Sequence, residues 1–200
     1  MKGRDLLLTG VGGQGIILAS DIVCMAALAC GYDVKKTDTL GMAQRGGSVV
    51  SHVRLADRVR SPLIREGEVD TLVAFEKLEA ARWARFLRPG GTAIINNHAI
   101  PPPAVNIGAQ AYPSDEDVSD IFRVNDGKVI FVPGTGQAQA LGNIRVLNIF
   151  MLGYLSSFMP FKVKIWKEGI ARSVPAGVLP LNLDAFDHGR RKSRGIPVPS

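Results

Sequence analysis

Short apolar runs alternate along the chain with segments of helical periodicity. Six segments have the apolar or alternating pattern of strands: 6–8, 34–39, 48–56, 70–75, 92–96 and 129–132. Five longer segments have the pattern of helices: 16–29, 76–88, 114–122, 137–158 and 163–172. Strands that alternate with helices, without an internal repeat, indicate an α/β fold with a largely parallel sheet.

The pattern weakens after residue 174. Four prolines and Gly189 interrupt this segment, at 175, 180, 189, 197 and 199, and the one candidate helix is 181–191. We therefore divide the chain into a domain at 1–174 and a C-terminal helical or extended arm at 175–200. Basic residues cluster in this arm at 190–194, which suits an acidic partner, and we expect the arm to bind a partner protein.

Composition limits the classes of function. The 200 residues, of which 46% are hydrophobic, suffice for one domain with a sizeable core. The net charge is +6, but aromatic residues make up 6% and do not interleave with the basic ones, so we expect no nucleic-acid partner. Because the sequence shows neither a membrane span nor a signal-peptide pattern, we expect a cytoplasmic protein that does not bind membranes.

Few polar side chains have catalytic potential. Cys24 and Cys30 lie six apart on a predicted helix and do not share a face, which favours buried thiols over a disulfide or metal pair. His52 has no Cys, Asp or Glu at metal-ligand spacing and is interpreted as a structural histidine. Asn143 and Asn148, inside the fourth predicted helix, need hydrogen-bond partners there. The sequence contains no nucleophile elbow and no P-loop.

A glycine-rich turn, GVGGQG at 10–15, joins the first predicted strand to the first predicted helix. This context is typical of a dinucleotide site, where glycines allow a close approach of the backbone and the helix start attracts phosphate. The candidate ligand-binding residues are Gly12, Gly13, Gln14 and Gly15. A dinucleotide site also needs an acidic residue about 20 residues further along the chain to bind the ribose, and the sequence offers only weak candidates for it. The alternative interpretation is a tight turn that binds no ligand.

A second polar loop contains five further candidate residues: Gln44, Arg45, Gly46, Gly47 and Ser48. Arg45 offers a planar fork of donors that suits a phosphate or a carboxylate. The flanking glycines let the backbone approach a ligand, and a surface turn with an incidental arginine is the alternative. Together with the first turn, this loop predicts a Rossmann-like domain of three layers whose site lies at the carboxyl ends of the strands.

These two motifs resemble the gamma domain of the 2-oxoacid:ferredoxin oxidoreductases. The resemblance rests on GVGGQG at 10–15 and on GMAQRGGSVVSHVR at 41–54, and it extends over about residues 4–185. Supporting pieces are Ser61-Pro62-Leu63-Ile64, the segment 87–91, Asn96 and Gly142-Asn143. Within the family, the chain is most similar to the small beta subunit of the indolepyruvate branch.

The resemblance implies a subunit that is inactive alone. The family converts a 2-oxoacid, here an indolepyruvate or other arylpyruvate, to an acyl-CoA and passes electrons to ferredoxin. It implies thiamine diphosphate and [4Fe-4S] clusters in a large alpha subunit, a complex of two large and two small chains, and coenzyme A beside the glycine loops and Arg45. A lone chain is expected to form a homodimer through the surface meant for its partner.

The alternative function is a free-standing oxidoreductase or sensor that binds NAD(P) at the glycine turn. Asp33 and Asp38 would be the candidates for the ribose, and Lys35 and Lys36 would favour a 2′-phosphate.

Overall fold

The computed structural model describes residues 3–41, 47–102 and 111–193. The strands in those ranges are β1 Arg4–Val11, β2 Asp33–Leu40, β3 Ser48–Ala56, β4 Val69–Ala74, β5 Leu87–Asn96 and β6 Lys128–Val132. They form one sheet in the order β2-β3-β1-β4-β5-β6. Only β3 of these strands runs against the others, pairing antiparallel with β1 and β2. The carboxyl ends of β1, β4, β5 and β6 therefore meet at one edge.

The α-helices of the described ranges are α1 Ile16–Ala29, α2 Lys77–Trp83, α3 Asp115–Arg123, α4 Gly134–Ala140, α5 Leu147–Leu155, α6 Val163–Ser173 and α7 Leu179–Lys192. Short 3-10 turns lie at Ala84–Phe86, Ile144–Val146 and Ala176–Val178. One apolar cluster packs α1, α4, α5, α6 and α7 on one face of the sheet, and a second packs α2 and α3 on the other. These three layers confirm the predicted Rossmann-like α/β fold. Among these helices, none combines the length and apolar character needed to cross a membrane.

The prediction of one helix over 137–158 is wrong. The chain forms α4, a 3-10 turn and then α5, with a break at Gly142 and Asn143. Gly142 has φ +91°, which L side chains rarely adopt, so it ends the first helix. The Asn143 side-chain oxygen then accepts a hydrogen bond from Arg145 N at 3.0 Å and starts the next turn. Because the chain changes direction here, Arg145 and Asn148 reach the carboxyl edge of the sheet.

The helix predicted over 76–88 is shorter than expected. After α2 and a 3-10 turn the chain is already extended at Leu87, so β5 begins before the predicted strand at 92–96. Arg88 Nε donates to the Asp70 carboxylate at 2.7 Å, which joins the beginnings of β5 and β4. Leu87 is buried and pairs with Val69 of β4, so pairing with a segment that is distant in sequence accompanies the start of the strand.

The C-terminal segment contains the predicted helix, α7, and this helix packs tightly against α5. A Cβ atom on Gly153 of α5 or on Gly189 of α7 would lie 2.0 Å from a backbone oxygen of the other helix. Ala185 and Phe186 of α7 are fully buried in the same core as α1 and α5. The boundary after residue 174 and a partner-binding role of the segment stay predictions.

His52 is a buried structural residue, as the sequence predicts. Its ring lies edge-on to Trp83 and Phe86, with centroids 6.2 and 5.6 Å away, and its Nδ1 accepts a hydrogen bond from Ile64 N at 3.4 Å. Burial lowers the pKa of His52 from its ordinary value. The folded protein therefore favours the neutral imidazole.

We expect the stability of the chain to fall as the pH drops below about 6.5, the ordinary pKa of histidine. The pKa of His52 is lower in the folded state than in the unfolded state, so the unfolded state binds the proton first. The free energy of unfolding, measured in urea between pH 8 and pH 5, should fall less steeply in His52→Gln than in the wild type. An equal slope in His52→Gln and in the wild type would contradict the prediction.

Candidate functional site

The glycine turn lies at the carboxyl end of β1 and leads directly into α1. Gly13 and Gly15 have φ angles of +105° and +77°, so the turn needs glycine at both positions. Among the described residues, no side chain caps α1 at its N-terminus. The first N–H groups of a helix have no partner within the helix and attract negative charge. The local sequence therefore builds a backbone site that suits an anion.

Gln14 lies between the ends of β1 and β4 and fills the crevice there. This is the switch point of the sheet, because β2 and β3 lie on one side of it and β5 and β6 on the other. Its Oε1 accepts from Val11 N at 2.8 Å, and its Nε2 donates to Phe75 O at 2.9 Å. Gly10 makes room for this side chain, since a Cβ there would lie 2.7 Å from Gln14 Oε1. The side-chain amide of Gln14 is thus bound within the protein rather than free for a ligand.

Asn96 joins the ends of β4, β5 and β6. Its Nδ2 donates to Phe75 O at 3.0 Å and to Thr135 Oγ1 at 2.9 Å, and its Oδ1 accepts from Thr135 N at 3.0 Å. Asn96 is fully buried, so these bonds replace its contacts with water. Since Phe75 O also accepts from Gln14, the two amide side chains join four strand ends into one hydrogen-bonded edge.

A cleft of about 380 Å³ opens above this edge. Its lining comes from the glycine turn, the segment after β5, the start of α4 and the start of α5: Gly13, Gln14, Gly15, Leu18, His98, Ile100, Thr135, Ile144, Arg145, Leu147 and Asn148. Arg145 is the one permanently charged residue among them. It is exposed and forms no ion pair with any residue in the described ranges. The cleft therefore combines a free guanidinium with an uncapped helix start.

Asn148 fixes the glycine turn against α5. Its Nδ2 lies 3.4 Å from Gly15 O, and a Cβ on Gly15 would lie 2.6 Å from that same nitrogen. The predicted need of Asn148 for a partner is met here, and Asn143 meets its own by starting the turn before α5. The close approach explains why the last glycine of the motif has no side chain.

The second predicted loop reaches the glycine turn through its last residues. Gly47 O accepts from Gly12 N at 2.8 Å, and the Ser48 hydroxyl donates to the Glu79 carboxylate. Gly47 and Ser48 thus lie beside the turn rather than in the lining of the cleft. Gln44, Arg45 and Gly46 lie outside the described residues.

Most residues of the cleft lining carry no recognisable signal in the sequence. Arg145, His98 and Ile100 come from segments for which the sequence predicts no role in binding. Arg145 had a recognisable signal, since it is the only charged residue within the apolar stretch at 137–158. The apolar pattern of that stretch predicts one continuous helix, whereas the break at Gly142 brings Arg145 to the cleft.

The structure gives the dinucleotide interpretation no support. Asp33 lies at the start of β2, at the opposite edge of the sheet, where its carboxylate accepts from Val59 N at 2.7 Å. Asp38 accepts from the Ser51 hydroxyl at 2.6 Å and pairs with Lys36 at 3.1 Å. In addition, β3 separates β2 from β1 by roughly 10 Å, twice the usual strand spacing. No acid is therefore placed to bind a ribose at the glycine turn within the described residues.

Metal binding has no support in the same ranges, where no group of three or more His, Cys, Asp or Glu side chains lies close enough to hold an ion.

The fold and cleft define a Rossmann-like α/β domain with a candidate anion-binding site at the carboxyl edge of its sheet. The chain belongs to the pyruvate ferredoxin/flavodoxin oxidoreductase family, whose model matches residues 5–192. It is 36% identical to indolepyruvate oxidoreductase subunit IorB of Pyrococcus horikoshii, over 97% of this chain and 98% of that one. The same subunit of Archaeoglobus fulgidus is 37% identical, over 92% of each chain.

Solved structures have the same fold at lower identity. The gamma subunit of a keto/oxoacid ferredoxin oxidoreductase from Geobacter sulfurreducens has a TM-score of 0.72 at 21% identity, covering 96% of this chain and 99% of that one. A 2-oxoglutarate:ferredoxin oxidoreductase from Magnetococcus marinus, solved with 2-oxoglutarate, coenzyme A and succinyl-CoA bound, has a TM-score of 0.79 at 21% identity. That match covers 100% of this chain and 32% of the other. The predicted resemblance to the small indolepyruvate oxidoreductase subunit is confirmed.

Proposed function

We propose that this chain is the small subunit of an indolepyruvate:ferredoxin oxidoreductase, which converts an arylpyruvate to an acyl-CoA and passes electrons to ferredoxin. The observation that supports this most directly is the match to two subunits named for indolepyruvate, along 98% and 92% of their lengths. In this proposal, two small and two large chains form a cytoplasmic complex. Thiamine diphosphate and [4Fe-4S] clusters belong to the large chain.

The residues of this chain do not fit an iron–sulfur cluster. Four Cys thiolates hold a [4Fe-4S] cluster, whereas the sequence has two cysteines, Cys24 and Cys30. Neither lines the cleft. Burial raises the pKa of the Cys24 thiol to about 12, so it stays protonated at neutral pH. Electron transfer is therefore assigned to the partner.

Within the complex, the cleft is proposed to hold phosphate groups of coenzyme A. Three features support this assignment: the backbone turn with glycine at 13 and 15, the uncapped start of α1, and the Arg145 guanidinium. Guanidinium groups bind phosphate with two parallel hydrogen bonds, and helix starts bind it through backbone N–H groups. Arg45 stays a predicted second phosphate contact.

The cleft has about 380 Å³, near the lower end of the about 300–1,000 Å³ that pockets for drug-sized ligands span. Coenzyme A, a nucleotide joined to a long pantetheine arm, is larger than such ligands. We therefore assign the cleft the phosphates and the adjoining part of the ligand, with the reactive thiol directed to the large subunit. This division gives each subunit one part of the reaction: the small chain orients coenzyme A and the large chain does the chemistry.

In the complex with the large subunit, we expect Arg145→Gln to raise the KM for coenzyme A about tenfold. This is the usual effect of losing one charged hydrogen bond. The kcat and the KM for the oxoacid should change less than twofold, because they depend on the other chain. Arg65→Gln is the matched control, since Arg65 is exposed and lies outside the cleft. An unchanged KM for coenzyme A in Arg145→Gln would overturn this assignment.

The subunit proposal itself is tested by co-expression with the large chain and dye reduction under anaerobic conditions. Reduction that requires both chains and runs faster with indolepyruvate than with pyruvate would support it. A chain that elutes alone as a homodimer, with no effect on the activity of the large chain, would contradict it.

A further inference from the structure

Helix α2 begins with two buried glutamates. Glu76 bonds to a residue that lines the cleft, and Glu79 is linked to the glycine turn through β3. Glu76 has 1% of its surface exposed and Glu79 has 5%. Neither lines the cleft, and neither has a role in the proposed function. A buried carboxylate is costly unless hydrogen bonds satisfy it, so the partners of each one indicate what it does.

Glu76 holds the wall of the cleft that follows β5. Its Oε1 accepts from Ile100 N at 3.0 Å and from the Tyr112 hydroxyl, while its Oε2 caps α2 by accepting from Glu79 N at 2.9 Å. The neighbouring His98 O accepts from Lys77 N at 3.3 Å. The first turn of α2 therefore fixes both residues that line this wall.

Glu79 is linked to the glycine turn through the first residues of β3. Its carboxylate accepts from the Ser48 hydroxyl, at the first residue of β3. The preceding residue, Gly47, accepts from Gly12 N at 2.8 Å. The path from Glu79 to the glycine turn thus consists of two hydrogen bonds and one peptide unit. Arg82 lies 3.4 Å from the same carboxylate but is half exposed.

The glycine turn gains from the connection to β3, which binds Gly12 N, whereas Gln14 and Asn148 bond to other parts of the turn. Four of its six residues are glycine, which loses more conformational freedom on ordering than other residues. A ligand that has to order the turn binds more weakly than one that meets a turn already in place. The bond from Gly12 N to Gly47 O joins the turn to β3, and Ser48 joins β3 to the first turn of α2, which Glu76 caps.

We infer that Glu79 is a positioning residue, which holds the glycine turn in its anion-binding conformation through Ser48 and Gly47. The inference rests on the proposed function, since it concerns the same ligand. Glu79 contributes an acceptor oxygen, so a glutamine at this position keeps the function and a leucine removes it. Burial and the charge of Glu76 raise the pKa of Glu79, which agrees with a role that does not need an exposed negative charge.

Hydrogen exchange at Gly12, measured on the full chain, tests the inference without any ligand. Ser48→Ala and Glu79→Leu should speed the exchange of the Gly12 amide about tenfold, whereas Glu79→Gln should leave it within twofold of the wild type. In the complex, the same two variants should raise the KM for coenzyme A about fivefold with kcat unchanged. The double variant, Ser48→Ala with Glu79→Leu, should change Gly12 exchange and the KM by no more than either single variant does, because both residues act along one path.

The outcomes separate this inference from the proposed function. Unchanged Gly12 exchange in Ser48→Ala, or effects that add in the double variant, would overturn the positioning role. Faster exchange together with a wild-type KM for coenzyme A in both Arg145→Gln and Glu79→Leu would instead overturn the ligand assignment and leave the structural path in place. Ser48→Ala keeps the test decisive if Glu79→Leu folds poorly.

Discussion

Gly153→Ala and Gly189→Ala should each lower the free energy of unfolding by about 3 kcal/mol or more, at the upper end of the range for overpacked cores. Each added Cβ would lie 2.0 Å from a backbone oxygen, Phe186 O for Gly153 and Phe150 O for Gly189. The obstacle is helix backbone rather than a flexible side chain. The helices α5 and α7 would therefore have to separate, and Phe150 and Phe186, both fully buried, would lose their packing.

Urea unfolding followed by far-ultraviolet circular dichroism measures this effect. Gly136→Ala is the matched control, because Gly136 is also helical and a Cβ there would meet nothing within 4 Å. It should raise the free energy of unfolding by up to about 1 kcal/mol, the usual gain of alanine over glycine in a helix. Wild-type stability in the Gly153 and Gly189 variants would show that α7 does not pack on α5 as described.

Asn96→Ala should lower the free energy of unfolding by about 2–3 kcal/mol, the cost of leaving a buried partner unsatisfied. Thr135 N would lose its acceptor, and Thr135 Oγ1 would lose its donor. Phe75 O would keep its hydrogen bond from Gln14, so the hydrogen bonds lost should be those between the carboxyl ends of β5 and β6. Because Thr135 lines the cleft, the loss should also loosen the start of α4.

Asn97→Ala provides the comparison for Asn96. Asn97 is exposed, and its side chain makes a weak contact with Asp115 at 3.3 Å, so its removal should change stability by less than about 0.5 kcal/mol. Hydrogen exchange at Thr135 should rise in Asn96→Ala and stay unchanged in Asn97→Ala. Similar losses in the two variants would contradict the role given to Asn96.

The glycine motif of this chain has the sequence typical of a dinucleotide site, but the sheet around it lacks the other parts of such a site in the described residues. A dinucleotide fold places a parallel strand and its terminal acid beside the first strand. Here the antiparallel strand β3 occupies that position, and Gln14 fills the adjoining crevice. What remains is the anion-binding part of the motif, the turn and the helix start. The same sequence motif can therefore support a different ligand when the neighbouring strand changes.

Local signals predicted those elements whose determinants lie within a few residues of one another. The strand, glycine turn and helix at the N-terminus are of this kind. So is α3, where Ser114 and Asp117 form the capping box with acidic residues in the first turn. The predicted end of the helix over 76–88 is wrong because β5 already begins at Leu87, which pairs with Val69 of β4, eighteen residues earlier.

The sequence by itself determined the fold class, the family and the glycine turn, because periodicity, caps and motifs act over short distances along the chain. Only the tertiary structure decided the cleft. Arg145 and Thr135 reach Gly15 because the helix breaks at Gly142 and because four parallel strands end at one edge. The positions of Gln14, Asn96 and Glu79 likewise depend on partners at least 21 residues away. Such contacts form only when packing brings distant segments together, and a single sequence gives no local signal for them.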